Sequence, residues 1–174
     1  SSILLTGNII EKNAHMGVII SDSSGSIEKN TIRDNDSEGL YISNYNSSNI
    51  DITDNLIEGN AKSASFFGGG VSISGTGTAL VTKNIIKKNN IWGLFLSGSA
   101  KVSNNIIDEN SETGIYISFA KDVEITDNQI TNTILFGGIG RGIEIYESSV
   151  LIKDNDIMDN AVDGVAIFYP ESVV

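Results

Sequence analysis

The chain has 174 residues, 40 % of them apolar, with 18 glycines, one proline, no cysteine and a net charge of −11. That length fits one domain, and the missing cysteines exclude disulfides and thiol chemistry. The acidic balance, with Arg33 and Arg141 the only arginines, excludes a phosphate-binding face for nucleic acid, and no apolar run reaches membrane-spanning length.

Taken in chain order, the first recognisable element places Leu5 three positions before Asn8 and Ile10 two positions after it. The same arrangement returns around Asn30, Asn55, Asn84, Asn105, Asn128 and Asn155, with Ile27, Ile52, Val81, Val102, Ile125 and Ile152 ahead and Ile32, Ile57, Ile86, Ile107, Ile130 and Ile157 behind. Successive asparagines lie 22, 25, 29, 21, 23 and 27 residues apart, so a unit of about 22 residues repeats with insertions. After each comes a glycine: Gly17, Gly39, Gly70, Gly93, Gly114, Gly142 and Gly164. The residues one and three beyond that glycine are always aliphatic, from Val18/Ile20 to Val165/Ile167, while the residue between them varies through Ile19, Tyr41, Ser72, Phe95, Tyr116, Glu144 and Ala166. A period of two with one free position describes a strand with one buried face.

Each unit therefore supplies three short strands: one before the asparagine, one centred on the following isoleucine, and one after the glycine. A coil so small cannot bury its own apolar side, but equivalent coils stacked at about 4.8 Å share a continuous interior. The predicted fold is all-β, a single-stranded parallel β-helix of about seven coils forming a rod roughly 34 Å long. Leucine-rich repeats have a similar period, yet the leucine consensus and helical return they need are not present.

The asparagines have a structural use in such a rod, because side-chain amides at one turn of every coil can hydrogen-bond up and down in ladders. A second column follows at Asn13, Asn35, Asn60, Asn89, Asn110 and Asn160, interrupted by Thr133. The glycine column is expected to mark positive φ or tight turning.

These residues resemble the right-handed parallel β-helix repeat proteins, a superfamily that includes pectate-lyase-like enzymes. The pattern N-x-I-x-x-N-x-x-x-G-I-x-I is seen as Asn105, Ile107 and Asn110 leading to Gly114-Ile115-Tyr116-Ile117, and the likeness covers the whole chain. It implies a right-handed coil. It does not select a function, because such repeats occur in polysaccharide lyases, glycoside hydrolases, uronate epimerases, surface adhesins and periplasmic copper-maturation proteins.

Residues 1–174 are read as one domain uncapped at both ends. Ser1-Ser2-Ile3 matches Ser148-Ser149-Val150, and Glu171-Ser172-Val173-Val174 resembles the opening of an eighth coil. The expectation is either a fragment of a longer β-helix or a unit that stacks head to tail, so its partners include flanking coils or a homo-oligomer.

A site is expected where two coils carry insertions at the same turn, around Ala61 to Gly69 in coil three and Ile134 to Arg141 in coil six. Stacking makes these loops the walls of a groove about 14 Å wide over coils four and five. Candidate ligand-binding residues are Phe66, Phe67, Trp92, Phe95, Thr113, Tyr116, Phe136 and Arg141, with Tyr41 and Tyr45 either extending the aromatic strip or serving as ordinary surface residues. Aromatic faces and a few polar groups suit a polysaccharide or cell-surface glycan. The other reading is a satellite cluster of aromatics covering one another.

An enzyme would use Glu112 and Glu144 with Arg141. The carboxyls are two coil steps apart, roughly 10 Å before side-chain reach, against the separations of about 5–9.5 Å that glycosidases use. No clustered-carboxylate pattern is present, so catalysis is not expected. His15 beside Met16 is too small a donor set for copper. Asp127 and Asp154, with Asp159 and Asp163 near them, suggest at most weak calcium binding, or plain solvated turns. Glu58, Lys87 and Asp108 on successive coils read as cross-strand ion pairs. The sequence thus points to a non-catalytic structural or carbohydrate-binding segment of an extracellular, cell-surface or periplasmic protein, with a β-helix polysaccharide hydrolase or lyase as the alternative.

Overall fold

The computed structural model describes residues 1–46, 49–63 and 68–169. Phe66, Phe67 and residues 171–174, on which expectations above rested, lie outside the described residues.

The chain winds into stacked coils with three strand positions each. The glycine-following face contains Val18–Ser21, Leu40–Asn44, Glu112–Ser118, Gly140–Tyr146 and Val165–Phe168, together with the first halves of Gly69–Thr82 and Trp92–Ser103. The pre-asparagine face contains Ser2–Thr6, Ser24–Glu28, Ile50–Thr53, Val123–Thr126 and Val150–Lys153, together with the second halves of those two long strands. The third face is a seven-stranded sheet of three-residue strands, from Ile9–Glu11 to Asp156–Met158. Every strand pairs in parallel with its equivalent one coil away, and the registers are those of the repeat: Ile57 opposite Ile86, Ile86 opposite Ile107, Val71 opposite Leu94.

Coils three and four depart from the expected three strands. Gly69–Thr82 and Trp92–Ser103 run unbroken round one corner, because Gly75 and Gly98 stay paired there, and the mismatch is absorbed as a register shift between Gly98 and Ala100. One sheet therefore wraps two faces.

The interior follows from the pattern. Ile27, Ile52, Val81, Val102 and Ile125 form one fully buried column, and Ile32, Ile57, Ile86, Ile107 and Ile130 form another. A buried Ile side chain contributes about 1.5–3 kcal/mol, so these columns supply the main cohesion between coils.

Both asparagine ladders are present. Asn30 Nδ2 donates to Asn55 Oδ1 at 3.0 Å, Asn55 to Asn84 at 2.9 Å and Asn105 to Asn128 at 2.9 Å. In each case the backbone N–H of the donor reaches the same oxygen. Their second amide hydrogen goes to main-chain carbonyls, as from Asn84 to Ile52 at 2.8 Å and Thr82 at 3.0 Å. The second ladder runs from Asn13 through Asn35, Asn60 and Asn89 to Asn110. At Thr133 the side-chain link stops, and only the Thr133 backbone N–H donates to Asn160 Oδ1.

The glycine column has a different cause from the one expected. None of its members has positive φ. A Cβ on Gly93 would lie 2.6 Å from the Gly114 carbonyl oxygen and 2.7 Å from Asn110 Nδ2, and Gly17, Gly39, Gly70, Gly114 and Gly142 meet the same obstruction. Close approach to the next coil, not backbone conformation, requires glycine there. Positive φ belongs to the residues just before the ladder asparagines. Gly7, Lys29, Asp54, Lys83, Asn104, Asp127 and Asp154 precede the first ladder, and Lys12, Asp34, Gly59, Lys88, Glu109, Asn132 and Asp159 the second, all between 51° and 68°. The non-glycine members each cost about 1–2 kcal/mol, offset by the ladder bonds that the turn sets up.

Candidate ligand-binding face

The register places three aromatic side chains together on the outward side of the glycine-following face. Trp92 pairs with Thr113 and Phe95 with Tyr116 in adjacent strands. Alternation sends Phe95 and Tyr116 outward while Leu94, Leu96, Ile115 and Ile117 go to the core; the period of two breaks at buried Gly93, and Trp92 on its far side stays half-buried beside the two outward rings. Their ring centroids are 5.1 Å apart for Trp92 and Phe95, 5.2 Å for Trp92 and Tyr116 and 5.6 Å for Phe95 and Tyr116. All three are half-buried, so they cover one another and still present surface to solvent.

One coil further on, the strip gives way to charge. Arg141 Nη1 lies 3.0 Å from Glu144 Oε2 and its Nε 3.1 Å from Asp163 Oδ2, and its guanidinium sits 5.0 Å from the centre of the Phe168 ring. Thr113, expected to contact ligand, is instead fully buried, with its hydroxyl donating to Glu144 at 3.2 Å. Its role is to position Glu144. The charged side chains of Arg141 and Glu144 are 18 % and 14 % exposed, so the guanidinium is committed to neighbouring carboxylates. Burial pushes the Glu112 carboxyl above the usual carboxylate range, and repulsion from Glu144 adds to this while Arg141 opposes it.

The coil-six loop forms one wall. Glu112 N–H donates to the Ile134 carbonyl, and Phe136 and Ile139 exchange hydrogen bonds across Gly137 and Gly138, both at positive φ. This small hairpin holds up Ile134, Leu135 and Phe136, all exposed. The opposite wall was expected from Phe66 and Phe67, outside the described residues.

A second aromatic track was missed. Phe119, Tyr146, Phe168 and Tyr169 line the corner between the first two faces, with Tyr146 6.1 Å from Phe119, 6.4 Å from Phe168 and 5.1 Å from Tyr169. Its signal was available in the residues four and five beyond the column glycines, which are polar or small in coils one to four and become aromatic after that. A cavity of about 460 Å³ opens at the same corner, between Tyr45 and Phe119.

Among the described residues no group of three or more His, Cys, Asp or Glu is placed to hold a metal ion. Asp163 is engaged by Arg141. Asp127 and Asp154 line a second cavity of about 400 Å³ with Asn104, Asn128 and Asp156. Of the ion pairs expected on the third face, Lys87 meets Glu58 at 3.4 Å, whereas Asp108 accepts from Thr131 at 2.8 Å and Asn132 at 2.9 Å.

The repeat, the parallel registers and the paired ladders agree with one comparison. The family described as "Right handed beta helix region" matches residues 1–149 and 99–174. The chain belongs to the right-handed β-helix family. Searches of curated proteins and of solved structures returned no match. The β-helix thus accounts for the placement of Trp92, Phe95 and Tyr116, and the choice between binding and catalysis falls to the chemistry of this face.

Proposed function

We propose that this β-helix segment is a non-catalytic carbohydrate-binding element of an extracellular or surface protein. The observation that carries the reading is the contiguous patch of Trp92, Phe95 and Tyr116 on a flat, rigid sheet. Aromatic faces stack on the apolar faces of sugar rings, and a sheet paired coil to coil and anchored along one side by the second ladder contributes little entropy cost on binding. With a net charge of −11 and Arg141 already paired, the face repels polyanions, so the ligand is a neutral glycan. Affinity electrophoresis in gels containing neutral polysaccharides tests this. Retardation that Trp92→Ala removes supports the reading, and migration unchanged by every polysaccharide contradicts it.

One observation favours the alternative, a polysaccharide-acting enzyme. The Glu112 carboxyl is raised beside Glu144, as a general acid needs. Against it, Glu144 is tied to Arg141 and Thr113. Reducing-sugar release, or formation of an unsaturated uronate, that disappears in Glu112→Gln would establish the enzyme and end the binding-only reading.

A further inference from the structure

The corner between the first two faces contains a notch that the aromatic face does not explain. In coils two to five the position five residues beyond the column glycine is occupied by Asn44, Gly75, Gly98 and Phe119. Coils three and four thus have no side chain there, while Tyr45 rises from coil two and Phe119 from coil five. The two rings are three coil steps apart, about 14 Å at strand spacing. The space between them is the cavity of about 460 Å³, a volume within the range of small-ligand pockets.

The floor is built to stay flat. A Cβ on Gly75 would lie 2.2 Å from the Asn44 carbonyl oxygen, and one on Gly98 would lie 2.5 Å from that of Gly75. Both backbones are paired in the ladder, Asn44 with Gly75 and Gly75 with Gly98, so no free strand edge is offered to a peptide. What remains is a shelf of hydroxyls, Thr76, Ser97 and Ser99, between two aromatic rings. Thr76 Oγ1 donates to the Tyr45 carbonyl at 2.9 Å, which fixes the base of that wall. Tyr45 and Phe119 are 65 % and 66 % exposed, large rings left in water on either side of a hydroxyl-lined gap. Lys121 and Asp122 at the rim balance in charge.

We propose that this notch is a second saccharide subsite, taking a short neutral stretch of glycan along the rod axis with Tyr45 and Phe119 as stacking platforms. Neutrality follows from the balanced rim, stacking from the exposed rings, and hydrogen bonding to sugar hydroxyls from the serine and threonine shelf. The track of Phe119, Tyr146 and Tyr169 continues in the same direction, so a longer chain leaves the notch along further rings. This assignment rests on the carbohydrate reading above but uses different residues.

The test is isothermal titration calorimetry of the full chain with neutral hexasaccharides of glucose, xylose and mannose, comparing the parent with Tyr45→Ala, Phe119→Ala and Trp92→Ala. Tyr45 and Phe119 are exposed, so their removal leaves the core intact, and circular dichroism checks this. The notch assignment predicts that Tyr45→Ala and Phe119→Ala each weaken binding about tenfold or more. A Ser99→Gln variant, which fills the shelf while keeping both rings, is expected to weaken it similarly. Binding lost only in Trp92→Ala overturns the notch and leaves the aromatic face standing. No heat with any hexasaccharide overturns both.

Discussion

Asn84 and Asn105 are bonded twice through one oxygen: Asn105 Oδ1 accepts the Asn84 backbone N–H at 2.9 Å and its Nδ2 at 3.1 Å. Asn84 Oδ1 in turn accepts the same pair from Asn55, so each amide is both donor and acceptor with no spare capacity. Asn84→Ala strips this node from the buried turn and leaves donors on one side and acceptors on the other unsatisfied. Each such group costs about 1–3 kcal/mol. Chemical denaturation should show a loss of about 3 kcal/mol or more, and Asn84→Asp should also destabilise, because a carboxylate cannot donate to Ile52, Thr82 and Asn105.

The glycine column makes a sharper comparison. Gly93→Ala puts a methyl 2.6 Å from the Gly114 carbonyl oxygen, and the neighbour is backbone that cannot retreat without breaking the ladder. At Gly164 the nearest atom to an added Cβ is Ile157 Cγ2 at 3.6 Å, ordinary contact. Thermal melts should show Gly93→Ala strongly destabilised and Gly164→Ala within about 0.5 kcal/mol of the parent. Equal effects at the two positions would contradict the close-approach explanation.

Glu112 supplies a pH dependence with a definite sign. Its carboxyl is raised above the ordinary 4.5 by burial and by Glu144. Protonated Glu112 therefore favours the folded state, and its contribution is complete below about 4.5 and lost as pH rises through the raised value. Glu11 and Asp34 are held below the usual range by hydrogen bonds from Arg33 and Lys62 and act in the opposite sense. The difference between parent and Glu112→Gln isolates the term. The variant should melt higher at neutral pH, with its advantage shrinking toward pH 4.

Arg141 pairs with Glu144 on its own coil and joins coil six to coil seven through Asp163 and Phe168. Arg141→Met keeps much of the stem and removes the charge, leaving Glu144 with the Thr113 hydroxyl as its remaining partner here. Breaking a partly buried pair from one side should cost about 2 kcal/mol, measured by urea denaturation. Adding Glu144→Gln should recover part of that loss, because the stranded carboxylate is then gone.

Most of the fold was legible in the sequence, because a solenoid writes every contact once per repeat. The first ladder, the buried isoleucine columns and the break at Thr133 follow from spacing alone. The cause of the glycines was not legible, since a column of glycine reads the same whether φ or proximity demands it. The positive φ at Lys29, Lys83 and Lys88 was hidden because lysine is not a residue that signals it. Of the site, Phe95 and Tyr116 were found because they alternate with core residues. Trp92 and Thr113 stand just before the column glycines, in phase with the core residues two further on, and both were placed on the surface; Trp92 stays half-buried, whereas Thr113 is fully buried and bonded to Glu144. The second track was missed because Phe119, Tyr146 and Tyr169 lie beyond the three positions that define the strand, at a corner where the repeat pattern is silent.

The central claim, that stacked coils present Trp92, Phe95 and Tyr116 as a carbohydrate platform, can be read from the protein's own emission. Trp92 is the only tryptophan. Titrating a bound neutral oligosaccharide should shift and saturate its fluorescence, and Tyr116→Ala should weaken that saturation about tenfold. Emission that stays constant while calorimetry records binding would put the sugar elsewhere and contradict the claim.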